Sequence, residues 1–196
     1  MPFESYRAFV DESSTIRSAD RQEYLIGAAL IPLESRDEVR AAVRSLALPG
    51  QVKLHWTDEQ ESRRRKIVAR LCELQPMTVV ITHLSERMRK TERCRRKCLE
   101  TLYLEMSGMG IHDLTLEHRS ESQNARDRAH IVALQGQGLD RQLRIDHVRG
   151  GDEPLLWIAD ILLGAVNAAS QGRPDHLEAL QETIVVHQRT ADSLVP

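Results

Sequence analysis

The chain has 196 residues, of which 41% are apolar and 29% charged, and a net charge of −2 at pH 7. That length predicts a single domain over 1–196, and no apolar run approaches the roughly 18 to 20 residues of a membrane-spanning helix. The near-neutral balance excludes a global electrostatic pull toward nucleic acid or acidic membranes.

The opening MPFESYR has neither the basic nor the apolar segment of a secretory leader, so a cytoplasmic location and no membrane partner are expected. A first strand is predicted over 6–11 (YRAFVD) and a second over 23–33 (EYLIGAALIPL), an antiparallel hairpin. Two helices follow. One spans about 34–46 with Val39, Val43 and Leu46 on one face; the other starts after Thr57, whose spacing to Gln60 reads as a capping box, and carries Ile67, Val68, Leu71 and Leu74.

A third strand is predicted over 77–84 and a long helix over about 86–107, with Cys98, Leu99, Leu102 and Met106 inward. The odd set Cys72, Cys94 and Cys98 reads as reduced, packed thiols. A strand over 114–119 (LTLEHR), a helix near 123–135, a strand over 142–148 (QLRIDHV) and a helix over EPLLWIADILLGAVNAAS complete the alternation. The expected fold is α/β, a mixed sheet of about five strands: a hairpin, then parallel strands flanked by helices. The tail 173–196 reads as helix, packed on the core or set at a homodimer contact.

Three acids stand where the pattern wants something else. Asp11 closes the first predicted strand, and Glu117 closes LTLE. Asp160 lies in a helix apolar nearly all round, where an unpaired carboxylate costs several kcal/mol. The helix repeat puts Trp157, Gly164 and Asn167 on the stripe of Asp160, and Gly164 suggests a close approach to the sheet. Asp11 and Glu117 sit at predicted strand ends, where functional groups of such sheets collect. Three crowded carboxylates repel unless a cation holds them, and all-oxygen ligands suit Mg²⁺ or Mn²⁺. Two ions about 3.5 to 4 Å apart could activate water and steady the leaving oxygen of a phosphodiester.

Each acid also has a plain alternative. Asp11 and Glu12 could begin a turn with SST, Glu117 could pair with Arg119 or Arg128, and Asp160 could bond one buried Arg or His. Seven basic residues between Arg87 and Lys97, and four between Arg63 and Lys66, are solvated helix faces or contacts to phosphates.

The segments FVDESST, YLIGAALIP, KLHW, LTLEHR and EPLLWIADILLGAV resemble the domain-of-unknown-function 3800 family, grouped with ribonuclease-H-like folds, over about residues 5–170. The resemblance implies a ribonuclease-H-like fold and a metal site of Asp11, Glu117 and Asp160, with a fourth acid drawn from Glu12, Asp127 and Glu153. The function it implies is a divalent-metal-dependent nuclease acting on nucleic acid. The alternative is a catalytically silent ribonuclease-H-like module that binds nucleic acid or takes part in a defence system. His55 is a further catalytic candidate and His147 a weaker one. Lys53, Arg119 and Arg128 are candidate phosphate contacts.

Overall fold

A computed structural model describes residues 5–87 and 91–195 of the chain. Its centre is one six-stranded sheet in the order β5-β4-β1-β2-β3-β6. The strands are β1 (Tyr6–Ile16), β2 (Arg21–Pro32), β3 (Met77–Glu86), β4 (Asp113–Glu117), β5 (Arg144–Val148) and β6 (Ile184–Arg189). β2 is antiparallel to both β1 and β3, while β4 is parallel to β1 and to β5, and β6 to β3. β2 therefore runs alone against the other five. This is the mixed sheet expected from sequence, a hairpin followed by parallel strands, with one more strand.

The central strands are apolar on both faces because helices cover both. Leu25, Ala29 and Ile31 of β2 face one core, shared with Phe9, α1 (Arg36–Arg44), α2 (Glu61–Leu74), α5 (Leu155–Ala169) and α6 (Asp175–Leu180). Tyr24, Ile26, Ala28 and Leu30 alternate to the other, shared with Val10, α3 (Glu92–Gly108) and α4 (Glu121–Gly136). Cys94, Cys98, Leu99, Leu102 and Met106 of α3 are buried there, and neither cysteine forms a disulfide.

Several expectations need correction. β1 does not stop at the acids: β2 pairs it continuously from Tyr6 with Pro32 to Ile16 with Gln22, so SST is drawn into the ladder rather than a turn. The capping box at Thr57 does not form, because Trp56–Asp58 is a short 3₁₀ turn and α2 begins only after Gln60, which makes no side-chain cap. Ser120 and Gln123 form one instead, at the start of α4. α3 begins at Glu92, since β3 continues to Glu86. Arg89 and Lys90 of the basic run lie outside the described residues.

The tail is the largest correction. Only Asp175–Leu180 is α-helical, and Ile184–Arg189 then pairs with β3. Its β-branched run Ile184-Val185-Val186 suits a strand, and the free edge of β3 supplies the ladder that local sequence cannot announce. The tail's backbone thus serves its own sheet, leaving no support for a dimer contact there.

Candidate active site

Register brings the first two acids together. β1 and β4 pair in parallel as Ala8 with Leu114, Phe9 with Thr115 and Val10 with Leu116. One step further places Asp11 beside Glu117, on the face of Phe9 and Thr115 that α5 covers. β4 ends at Glu117, whereas β1 passes on with only β2 beside it. Asp11 therefore sits where the parallel ladder ends, although its strand does not.

The third acid arrives on α5. Opposite Asp11 on β2 is Gly27. A Cβ there would lie 3.0 Å from Leu163 Cγ and 3.3 Å from the Ala159 carbonyl oxygen, so the missing side chain is what admits α5. Asp160, the residue after Ala159, is carried to the acids. Gly164 has another role than the one predicted: a Cβ on it would overlap the indole of Trp56, so it receives that ring rather than the sheet. The rest of the Asp160 stripe also serves the site. Trp157 Nε1 donates to the Gly150 carbonyl at 2.6 Å, and Asn167 Nδ2 donates to Ser13 Oγ at 3.1 Å.

The segment Lys53-Leu54-His55-Trp56 supplies the counter-groups by alternation. Leu54 and Trp56 are buried in the α5 core, each worth roughly 1.5–3 kcal/mol of apolar burial, and they anchor the two polar residues between them. Lys53 Nζ donates to both oxygens of Glu117, at 2.7 and 2.6 Å. His55 Nδ1 lies 3.0 Å from Asp160 Oδ2, and the backbone N–H of Trp56 donates to the same oxygen at 2.7 Å. Asp160 is thus compensated by a histidine and a peptide, and Glu117 by Lys53 rather than Arg119 or Arg128. Gly150 closes over the pair: a Cβ there would overlap Glu117 Oε1 and lie 2.9 Å from Lys53 Cδ.

Asp11 is left out of this pairing. It is 8% exposed, makes no ion pair among the described residues, and accepts one hydrogen bond, from the Glu12 N–H at 2.8 Å. Burial, then the charges of Glu117 and Asp160, push its pKa up to about 8, against the weaker pull of Lys53. Burial works against charge on Lys53, but the Glu117 hydrogen bond and the three nearby carboxylates outweigh it and hold the ammonium above its usual range. The Asp160 hydrogen bond raises His55 in the same way, against its partial burial.

In donor chemistry the trio fits a hard divalent ion: all oxygen, with a buried central carboxylate that lacks a cation. In present arrangement it is closed by Lys53, and among the described residues no three Asp, Glu, His or Cys side chains are set to hold a metal ion.

The other predicted site residues divide sharply. Glu12 points to the opposite face of β1 and joins a second ionic cluster beneath α3 and α4. There Arg95 bonds both Glu12 and Asp127, and Arg119 bonds Glu92 at 2.7 Å and Asp127 at 3.2 Å. His147 Nε2 lies 3.0 Å from Asp127 Oδ2. Burial opposes charge on Asp127, but His147, Arg95 and Arg119 overcome it and hold the carboxyl below its usual range. Arg119 and His147 are thus engaged in this network. Glu153 is held by Arg40 through Nε and Nη2, both at 2.9 Å, beside the start of α5. Arg128 is exposed on α4 and borders a separate cavity with Glu121, Asp146 and His147.

Two small cavities border the acids. One of about 230 Å³ is lined by Asp11, Glu117, Arg95 and Arg119; another of about 200 Å³ by His55, Asp160, Asn167 and Arg64. A larger cavity of about 790 Å³, near Arg17 and His187, contains none of the acids, so charge rather than size locates the site. Trp56, Gly27 and Gly150 were missed by sequence reasoning, and Arg64 was read only as one member of the basic run from Arg63 to Lys66. The guanidinium of Arg64 sits 4.9 Å from the Trp56 ring centroid and is aimed by it. A glycine inside a strand and the alternation of KLHW were the available signals.

No family model matches the chain, and no curated protein does. Among solved structures, it is similar to a chain of the PCNA:RNase HII complex from Archaeoglobus fulgidus, with 15% identity and a TM-score of 0.46, covering 90% of this chain and 77% of that one. It is also similar to a mutant protein of Bst-RNase HIII, with 11% identity and a TM-score of 0.37, covering 91% of this chain and 54% of that one. No helix among the described residues is long and apolar enough to cross a membrane.

Proposed function

We propose that the chain is a divalent-metal-dependent nuclease that hydrolyses phosphodiester bonds at Asp11, Glu117 and Asp160, with Mg²⁺ or Mn²⁺ as the ion. The observation that carries this reading is Asp11: a buried carboxyl, crowded by two others, with no ion pair among the described residues. Membership of the domain-of-unknown-function 3800 family belongs to the same proposal.

Bound among the three carboxylates, the ion would lower the pKa of a water and neutralise charge growing on the phosphate. The protein's own groups do the remainder. His55, fixed through Nδ1 by Asp160, holds its proton more tightly than a free imidazole and is suited to protonating a leaving oxygen. Arg64, stacked on Trp56 beside His55 and Asp160, is placed to contact a phosphate, with exposed Arg128 a more distant contact.

A second reading, a silent nucleic-acid-binding module, draws on the Lys53–Glu117 pair, which neutralises one of the three acids internally. Labelled single-stranded DNA, duplex DNA, RNA and RNA–DNA hybrid, incubated with Mn²⁺ or Mg²⁺, separate the two. The nuclease reading expects cleavage of at least one substrate, abolished by chelator, by Asp11→Asn and by Asp160→Asn. Binding that survives chelator with no cleavage of any substrate would establish the silent module instead.

A further inference from the structure

We propose that Lys53 is a resident counter-ion that competes with a divalent cation for Glu117, so that the metal affinity of this site is set by displacement of its ammonium. The inference rests on the metal reading above and concerns what controls it.

The geometry is specific. Both Glu117 oxygens are taken by one Nζ, while neighbouring Asp11 forms no ion pair among the described residues. Ammonium and divalent ion are like charges seeking lone pairs of the same carboxylate, so strengthening one contact weakens the other. Nor is Lys53 a free surface lysine. Its side chain is 25% exposed, its neighbour Leu54 is locked in the core, and its Cδ lies under Gly150, whose backbone is tied to the Trp157 indole. An ammonium held this way occupies the site until something with higher charge removes it. Once released, it remains beside the acids, where a phosphate would arrive.

Calorimetric titration of the full chain with Mn²⁺ alone tests this. Lys53→Met is expected to bind Mn²⁺ about tenfold more tightly than the unaltered protein, and Asp11→Asn to lose the binding in both backgrounds. Equal or weaker binding by Lys53→Met, with Asp11-dependent binding intact in the parent, would overturn the competition while leaving the metal site standing. No binding by either protein would sink the metal reading itself. Should Lys53→Met fail to fold, acylation of amines in the unaltered protein, read by peptide mass spectrometry, gives the same answer. Mn²⁺ is expected to raise the labelling of Lys53 several-fold, and unchanged labelling in Mn²⁺-bound protein would refute displacement.

Discussion

Two buried aspartates stand on opposite faces of one sheet and have opposite surroundings. Asp127, 3% exposed, is met by Arg95, Arg119 and His147 and is pulled below the usual carboxyl range. Asp11, 8% exposed, meets two more acids and is pushed up to about 8. Burial raises both; at Asp11 two carboxylates add to it, whereas at Asp127 three basic partners overcome it. A carboxylate surrounded by cations is a piece of architecture; one crowded by carboxylates is unfavourable when ionised, and the proposed divalent ion would relieve it.

The largest expected effect breaks the compensated side. Asp127→Asn would leave the buried guanidinium of Arg95 and the partly buried one of Arg119 without their shared anion, at a cost of about 3–5 kcal/mol in urea unfolding at pH 7. The same carboxyl stabilises the fold only when ionised, so its contribution falls away as pH drops through its depressed folded value.

Asp11 carries the opposite sign. Its raised pKa stabilises the protonated form, a contribution complete below the ordinary value of 3.8 and lost as pH climbs through about 8. Asp11→Asn is therefore expected to gain on the order of a few kcal/mol over the parent at pH 9 and to converge with it near pH 4. Denaturation midpoints across that range should show the gap widening with pH; a gap that narrows would refute the account of Asp11.

Gly164→Ala comes next. The added methyl overlaps the Trp56 ring, a misfit worth about 1–3 kcal/mol. Because the Trp56 N–H holds Asp160, tryptophan emission should change with it, while the Asp127 network on the far face stays intact. The smallest effect belongs to Glu153→Gln. It loses a partly exposed bidentate pair with Arg40, about 1 kcal/mol or less, and should leave Mn²⁺ titration of the site unchanged.

The acid trio was legible in sequence because each member violates a local pattern, most plainly Asp160 within LLWIADILL. Its placement was legible too, since strand alternation assigns Asp11 and Glu117 a face without knowledge of the partner. Counter-groups were not. Lys53 and His55 lie in a connecting segment whose course depends on where Leu54 and Trp56 find a core, a tertiary fact. Glu12 and Asp127 compete in sequence for a fourth place beside the trio, and only the two faces of the sheet remove them from it. The tail was misread for a similar reason: its strand exists only because β3 offers an edge.

That last strand has a consequence for handling the protein. β6 hides the row of peptide groups along β3, whose Val79, Val80 and Ile81 are fully buried. A version shortened after Leu180 would present a bare, sticky border to its neighbours in solution and should self-associate into β-rich aggregates. The final segment thus works as a selvedge, keeping the woven sheet from joining to another.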